Sequence, residues 1–193
     1  TDLSSSHESY VTNTIKTLLL LSFISQFGLS LFEGTFVLHA QNVMSITPLQ
    51  LGYVFMVCGF VMAAAQGTVV ASFIEQFGAP KVLPFGFVFL GVGLMMLMLG
   101  RSIGVVLVIV GILAMGMAII TPSLAVIVSS ITEGQLGKSL GLLTGTTSFG
   151  QTLGPLLGSL LFVVNIHLPY LLSATVILAA AAYIFMQSSV AQD

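Results

Sequence analysis

Charged residues are scarce in this chain of 193 residues: they make up 5% of it, against 56% that are hydrophobic, and the mean hydropathy is +1.13. A soluble domain carries roughly 25% charged residues, so the composition predicts an integral membrane protein. The one cysteine, Cys58, excludes a disulfide framework and a multi-cysteine metal site. The formal net charge of −2 gives no basic surface for a nucleic acid.

The sequence also lacks a catalytic constellation. The chain has three histidines, too few and too peripheral for a metal site, and no serine, histidine and acid group at one membrane depth. We therefore expect no enzyme activity, no metal and no cofactor. His39 and His167 fall at the outer ends of apolar runs, and we interpret both as solvated.

Residues 1–13 are polar, and the apolar run that follows is too long for the core of a cleavable signal peptide. We expect a tail or linker over 1–13, one transmembrane domain over 14–186 and a short carboxy-terminal tail over 187–193. The polar start, without an initiator methionine, favours the end of a linker.

Six apolar runs are long enough to cross about 30 Å of hydrocarbon. They predict an all-α integral membrane protein with helices at 14–40, 49–74, 82–99, 103–130, 136–164 and 169–186. Short connections force neighbouring helices to be antiparallel. With both termini inside, Lys16, Lys81 and Lys138 lie in the cytoplasm and only Arg101 lies outside, which the positive-inside rule favours. We expect a multi-pass protein of the cell membrane with cytoplasmic termini.

The fifth run carries two glycine ladders at four-residue spacing. The first glycine ladder is Gly137, Gly141 and Gly145, and the second glycine ladder is Gly150, Gly154 and Gly158. On a helix each ladder forms a strip without side chains, against which another helix can pack closely in lipid. Pro155 removes a backbone donor within this helix and favours a kink. A polar stripe follows the same run: Thr144, Ser148, Gln151 and Thr152.

The turn between the second and third runs resembles a loop of the major facilitator superfamily. It reads ASFIEQFGAPK from Ala71 to Lys81, similar to the family's G-x-L-x-D-R-x-G-R-R motif. Glu75 stands at the acidic position, Gly78 at the turn glycine and Lys81 near the basic cluster. Because the first glycine and most arginines are replaced, this copy resembles the loop between helices 8 and 9 of that family.

Two further stretches agree with this resemblance. EGQLGKSLG, from Glu133 to Gly141, is similar to the E-x-R-G-x-A-x-G start of helix 11, with leucine in place of arginine. GQTLGPLLG, from Gly150 to Gly158, resembles the G-x-x-x-G-P-x-x-G signature of proton-coupled drug antiporters. The fourth run lacks the embedded arginine of many amino-terminal halves. The resemblance implies a carboxy-terminal six-helix half with a 3+3 inverted repeat, although no internal repeat is visible in the sequence.

In that family the first and fourth helices of a half line the central cavity, the second and fifth face the other half, and the third and sixth support them. The resemblance thus implies that the second glycine ladder, Pro155 and Gln151 form the contact between halves. The implied partners are membrane lipid, an amino-terminal half or a second copy, a small-molecule substrate and a proton.

Glu33 is the one acid well inside an apolar run. A charge at the membrane centre costs roughly 2.5–3.5 kcal/mol on insertion scales, so such residues face a cavity or a partner. Ser22, Gln26, Ser30 and Glu33 share about one helix face. A proton or substrate role, a gating hydrogen bond beside Gly34, and exposure at the outer interface all remain open interpretations.

The expected substrate cavity adds Phe27, Met115 and Thr121 to Ser22, Gln26 and Ser30. Phenylalanine and methionine side chains either form an adaptable apolar pocket or lie in the core and towards lipid: Phe23, Phe27, Phe32, Phe36, Met115 and Met117. Gln66, Thr144 and Gln151 either contact substrate or form hydrogen bonds between helices.

The antiporter-like pattern and the few charged cavity residues favour secondary active transport by alternating access, with proton-coupled efflux of small, largely apolar compounds. One alternative is half of a proton-coupled nutrient symporter, which needs a denser set of polar ligands. The other is a non-transporting membrane module that dimerises through its glycine faces.

Overall fold

The computed structural model describes residues 2–44, 46–132 and 134–190, with side chains over 11–41, 46–132 and 134–187. Six helices long and apolar enough to cross a membrane lie in these residues, which confirms the predicted all-α, six-span fold. We label them α1 to α6: Asp2–Met44, Pro48–Phe77, Ala79–Met96, Ile103–Ile131, Leu136–Val164 and Leu168–Val190.

The helix bounds follow the predicted runs closely in the second half of the chain. Helix α5 covers the predicted range and α4 ends one residue later than predicted. Helix α1 begins at Asp2 rather than at residue 14, because neither glycine nor proline interrupts residues 2–13. Helix α6 continues to Val190, and residues 191–193 of the predicted tail lie outside the described residues.

Local chemistry ends the helices where the predicted turns lie. At the start of α2 the Gln50 backbone N–H donates to Thr47 Oγ1 at 3.3 Å, and the Thr47 N–H donates to Gln50 Oε1 at 2.9 Å, a capping box. Gly78 and Gly134 have φ of 84° and 74°, values that glycine adopts without steric cost. The turn glycine of the loop motif is therefore required by its backbone conformation.

Helix pairing reveals the internal repeat. The main pairs are α1 with α5, α2 with α4, α3 with α4, α3 with α6, and α1 with α6. Exchanging α1 with α4, α2 with α5 and α3 with α6 converts this set of pairs into itself. Because α1 and α4 run in opposite directions, the repeat is inverted. The fold is the 3+3 arrangement that the resemblance implied.

The core lies among α1, α3, α4 and α6. Phe32, Phe36 and Phe87 are fully buried there. Helices α3 and α4 cross so closely that a Cβ atom on Gly116 would lie 2.5 Å from the Leu90 nitrogen and 2.7 Å from the Gly86 oxygen. In α2 and α5 only 22% and 17% of the most apolar stretch is buried, against 44% to 56% in the other helices. We call the exposed faces of α2 and α5 the uncovered side of the chain.

The second glycine ladder does not lie on that uncovered side. A Cβ atom on Gly150 would lie 2.8 Å from the Phe23 oxygen, and one on Gly154 would lie 2.7 Å from the Leu31 nitrogen. Helix α1 of the same chain thus fills this ladder, Gly158 included. The prediction that the second ladder contacts another half is wrong, because an intramolecular backbone already occupies it.

Pro155 belongs to the same contact. A Cβ atom on Gly34 would lie 2.7 Å from Pro155 Cβ, so the glycine beside Glu33 admits the proline ring. Helix α5 continues through Pro155 to Val164. Pro155 therefore also packs within the chain, whereas Gln151 is exposed.

Candidate functional site

Glu33 lies half-buried on α1 and has no strong polar partner. Within the described side chains it forms no ion pair and no hydrogen bond, and the buried thiol of Cys58 on α2 lies within electrostatic range. Gln26 is also half-buried and, seven residues earlier, lies on the same side of the helix. We call Gln26 and Glu33 the polar face of α1.

The two serines predicted beside them occupy a different environment. Ser22 and Ser30 are 3% and 1% exposed. Ser22 Oγ shares a hydrogen bond of 2.9 Å with Thr146 Oγ1 on α5, and Ser30 Cβ lies 2.7 Å from the position of a Cβ on Gly154. The expectation that both serines line an open cavity is therefore wrong. The predicted polar stripe of Ser22, Gln26, Ser30 and Glu33 is wide, and the two serines at one edge of it lie in the contact between α1 and α5.

The remaining cavity candidates do not come together. Phe27 lines a cavity of about 140 Å³ between α1 and α6, smaller than the roughly 300 Å³ of the smallest usual ligand sites. Met115 lines a separate groove among α2, α3 and α4. Thr121 is exposed and, six residues along α4, points about 120° away from Met115.

The other aromatic and methionine candidates lie either in the hydrophobic core or in a ring contact with Phe27. Phe32, Phe36 and Met117 are buried in the core, as one of the two interpretations proposed. Phe23 is half-buried and stacks on Phe27 with 5.7 Å between ring centroids.

The polar stripe of α5 faces outward. Its members Thr144, Ser148, Gln151 and Thr152 are all exposed. Thr144 Oγ1 donates to the Leu140 carbonyl and Thr152 Oγ1 to the Ser148 carbonyl, each at 2.9 Å. These two hydroxyl groups bond to their own helix and not across to α1, so the stripe remains on the uncovered side of the chain.

His39 lies in a different environment from the one that the sequence predicted. It is 2% exposed, so its predicted solvation is wrong, whereas His167 is exposed. The His39 ring packs edge-on to Tyr170 at 5.4 Å and to His167 at 6.0 Å, because α6 begins beside the end of α1. His39 Nδ1 is buried without a hydrogen-bond partner among the described residues, and the buried Tyr170 hydroxyl lies close to Thr35.

The loop motif forms the turn between α2 and α3. The Gly78 N–H donates to the Ile74 carbonyl at 2.9 Å, and the Gly78 carbonyl accepts from the Lys81 N–H at 3.2 Å. Glu75 and Lys81 are exposed and form no ion pair within the described part of the chain. Glu133, the first residue of the helix 11 motif, lies outside the described residues.

Six antiparallel apolar helices in a 3+3 inverted repeat define a multi-pass membrane protein with the helix arrangement that many secondary transporters share. Comparison with known proteins agrees, since the sequence model of the Major Facilitator Superfamily matches residues 18–192. The chain belongs to that superfamily. This membership indicates a transporter rather than an enzyme.

Curated relatives are similar at low identity. Multidrug resistance protein 2 of Bacillus subtilis (strain 168) is 23% identical over 159 residues, which cover 82% of this chain and 40% of the relative. Quinolone resistance protein NorA of Staphylococcus aureus (strain MRSA252) is 25% identical over 178 residues, covering 92% and 45%. The chain therefore spans less than half the length of these relatives.

Proposed function

We propose that this chain is part of a secondary active transporter that exports small lipophilic compounds in exchange for protons. Glu33 carries the proposal: it is a half-buried acid inside a membrane helix and has no cationic partner within the described residues. The names of the relatives, multidrug and quinolone resistance proteins, support drug-like small molecules as the substrate class.

An unpaired charge is costly away from water. Glu33 can therefore alternate between a proton-bound form in closed, apolar surroundings and an ionised form in a water-filled cavity. Such alternation is what proton coupling requires, and Gly34 allows α5 to approach at the same level through Pro155. Gln26 supplies the neutral hydrogen-bonding group of the polar face of α1.

The second half of the transporter is proposed to cover α2 and α5. Added Cβ atoms would meet nothing within 4 Å at the first glycine ladder, nor at Gly52, Gly59 and Gly67 of α2. Such bare strips suit close helix packing in lipid. Because the chain matches only 40% to 45% of the length of its relatives, we propose an amino-terminal half as the occupant, with a second copy of this chain as the alternative.

We propose the cell membrane as the location, with both termini in the cytoplasm. The support is the lysine distribution, with three cations on one side and Arg101 on the other. A cysteine introduced at Ser102 is expected to react with an impermeant reagent from outside the cell, and one at Gln135 is not. The reverse labelling pattern would overturn this orientation.

The coupling role is tested with Glu33→Gln in the intact transporter that contains this chain. The amide keeps the size of the carboxyl group but cannot titrate, so gradient-driven transport should fall to background while substrate binding is retained. Flux is measured in proteoliposomes with and without a proton gradient, over a series of pH values.

Glu75→Gln is the matched control, because it makes the same change in an exposed turn. It should leave coupling intact and alter only the rate of conformational switching. Normal, pH-dependent transport by Glu33→Gln would place the coupling acid elsewhere. Substrate flux in the direction of the proton gradient would favour a symporter, and no flux would favour the assembly module.

A further inference from the structure

A groove lies on the outside of the chain beside the carboxy-terminal part of α2. Residues Gln66–Val70 form a π-helical segment, and the two turns that follow it, Ala71–Phe77, contain no buried residue. A π-helical turn contains about one more residue than an α-helical turn. The residues that follow it therefore point in a different direction around the helix axis. Between α2, α3 and α4 lies a groove of about 660 Å³, which we call the lateral groove.

Phenylalanine rings form the walls of the lateral groove. Phe73 and Phe77 of α2 are each 50% exposed, and Phe85 and Phe89 of α3 are 53% and 41% exposed. Met115 of α4 also lines the groove. The volume falls within the roughly 300–1,000 Å³ of ordinary ligand sites, so the groove can hold a lipid-sized apolar chain.

The lateral groove is separate from the polar face of α1. None of its lining residues comes from α1, α5 or α6. One of its walls is α3, which lies outside the surface proposed for the second half, so the groove can open towards membrane lipid. This location does not depend on the proposed transport function.

Lys81 is the one charged residue in the lining of the lateral groove, which it contacts through its aliphatic stem. It lies in the first turn of α3, where the helix leaves the membrane, and it has no ion-pair partner within the described side chains. Glu75 is two residues from both Phe73 and Phe77, which places it about 160° away from them around α2. The charge at the end of the groove is therefore positive.

We propose that the lateral groove is a binding site for an anionic phospholipid of the leaflet on the Lys81 side. One acyl chain packs against the phenylalanine rings, and the Lys81 ammonium group donates hydrogen bonds to the head-group phosphate. In an anionic lipid no cation in the same head group offsets the phosphate charge, so the attraction to Lys81 is stronger than for a zwitterionic lipid. A small, water-soluble anion does not fit this chemistry, because Lys81 is the one charged group in an otherwise apolar lining. The apolar groove sets the position of the acyl chain, and Lys81 favours a head group with a net negative charge.

Native mass spectrometry of the purified chain tests the selection. The probes are phosphatidylglycerol and phosphatidylcholine with identical acyl chains. We expect retention of phosphatidylglycerol to exceed that of phosphatidylcholine by about fivefold, the effect of one lysine near an anionic lipid. Lys81→Gln should abolish the difference. Lys138→Gln, an exposed lysine at the other turn on this side, should preserve it.

A fluorescence measurement locates the lipid. The chain has no tryptophan, so Phe89→Trp provides a single reporter inside the lateral groove. Phosphatidylglycerol with brominated acyl chains should quench it more strongly than brominated phosphatidylcholine, and Lys81→Gln should remove this difference. Met186→Trp is the control. Met186 is exposed near the carboxy-terminal end of α6, on the Lys81 side and outside the lateral groove, so both lipids should quench it equally.

Three outcomes would overturn the site. The first is a preference for phosphatidylglycerol that survives Lys81→Gln or that disappears equally with Lys138→Gln. The second is equal quenching of Phe89→Trp by both lipids. The third is displacement of both lipids by a lipophilic cation such as ethidium, which would assign the groove to a transported compound.

Discussion

The two glycine ladders of α5 have the same spacing and opposite surroundings. At the first glycine ladder an added Cβ atom would meet nothing within 4 Å, whereas at Gly154 it would lie 2.7 Å from the Leu31 nitrogen and 2.9 Å from the Phe27 oxygen. A four-residue glycine spacing therefore identifies a surface that permits close packing. It does not identify which helix packs there.

The step between the ladders explains the difference. Gly145 and Gly150 are five residues apart, so the second ladder points about 140° away from the first around α5. One neighbouring helix cannot cover both directions. Helix α1 covers the second ladder, and the first is left on the side where the chain is bare.

The largest expected effect comes from Gly154→Leu. The added side chain would collide with backbone atoms of α1, which cannot move aside as a flexible side chain can. We expect destabilisation of at least roughly 1–3 kcal/mol, seen as a lower unfolding temperature of the purified chain in detergent. Gly141→Leu, the same change on the same helix, serves as the control and should unfold near the parent temperature. Equal unfolding temperatures for both variants would contradict the assignment of the second ladder to α1.

A smaller and different effect is expected of Gly141→Leu. The isolated chain should fold normally, but association with the amino-terminal half or with a second copy should weaken, because the leucine keeps the partner helix at a distance. Cross-linking or energy transfer between labelled halves in liposomes measures this association. Undiminished association would show that the first glycine ladder faces lipid. Only the second glycine ladder would then form a contact between protein helices.

The candidate site was predicted in part. Glu33 was found from one observation, an acid within an apolar run, and the structure leaves it half-buried and unpaired among the described residues. Ser22 and Ser30 share its helix stripe but are bound into the contact with α5. Helical periodicity predicts the direction of a side chain only to within a broad arc around the helix axis. On α1 that arc includes the half-buried Gln26 and Glu33 as well as serines that pack against α5.

His39 shows a second kind of limit. Its place at the end of an apolar run suggested contact with water, yet α6 begins beside it and buries it against Tyr170. Burial of a residue at a helix end depends on which other helix ends pack beside it. The residues adjacent to His39 in the sequence do not specify that packing. The orphaned Nδ1 atom is visible only once the helices are assembled.

The sequence by itself determined the number of spans, their approximate bounds and the family, because hydrophobic length and motif order are local properties of the chain. It also identified Glu33 as an acid within an apolar run, whose role in transport stays a prediction. Tertiary structure alone decided which glycine ladder is filled, the inverted repeat of the helix pairs, and the lateral groove beside the π segment. These features depend on which faces meet, and the same small or apolar residues suit a neighbouring helix, a partner chain or lipid equally well.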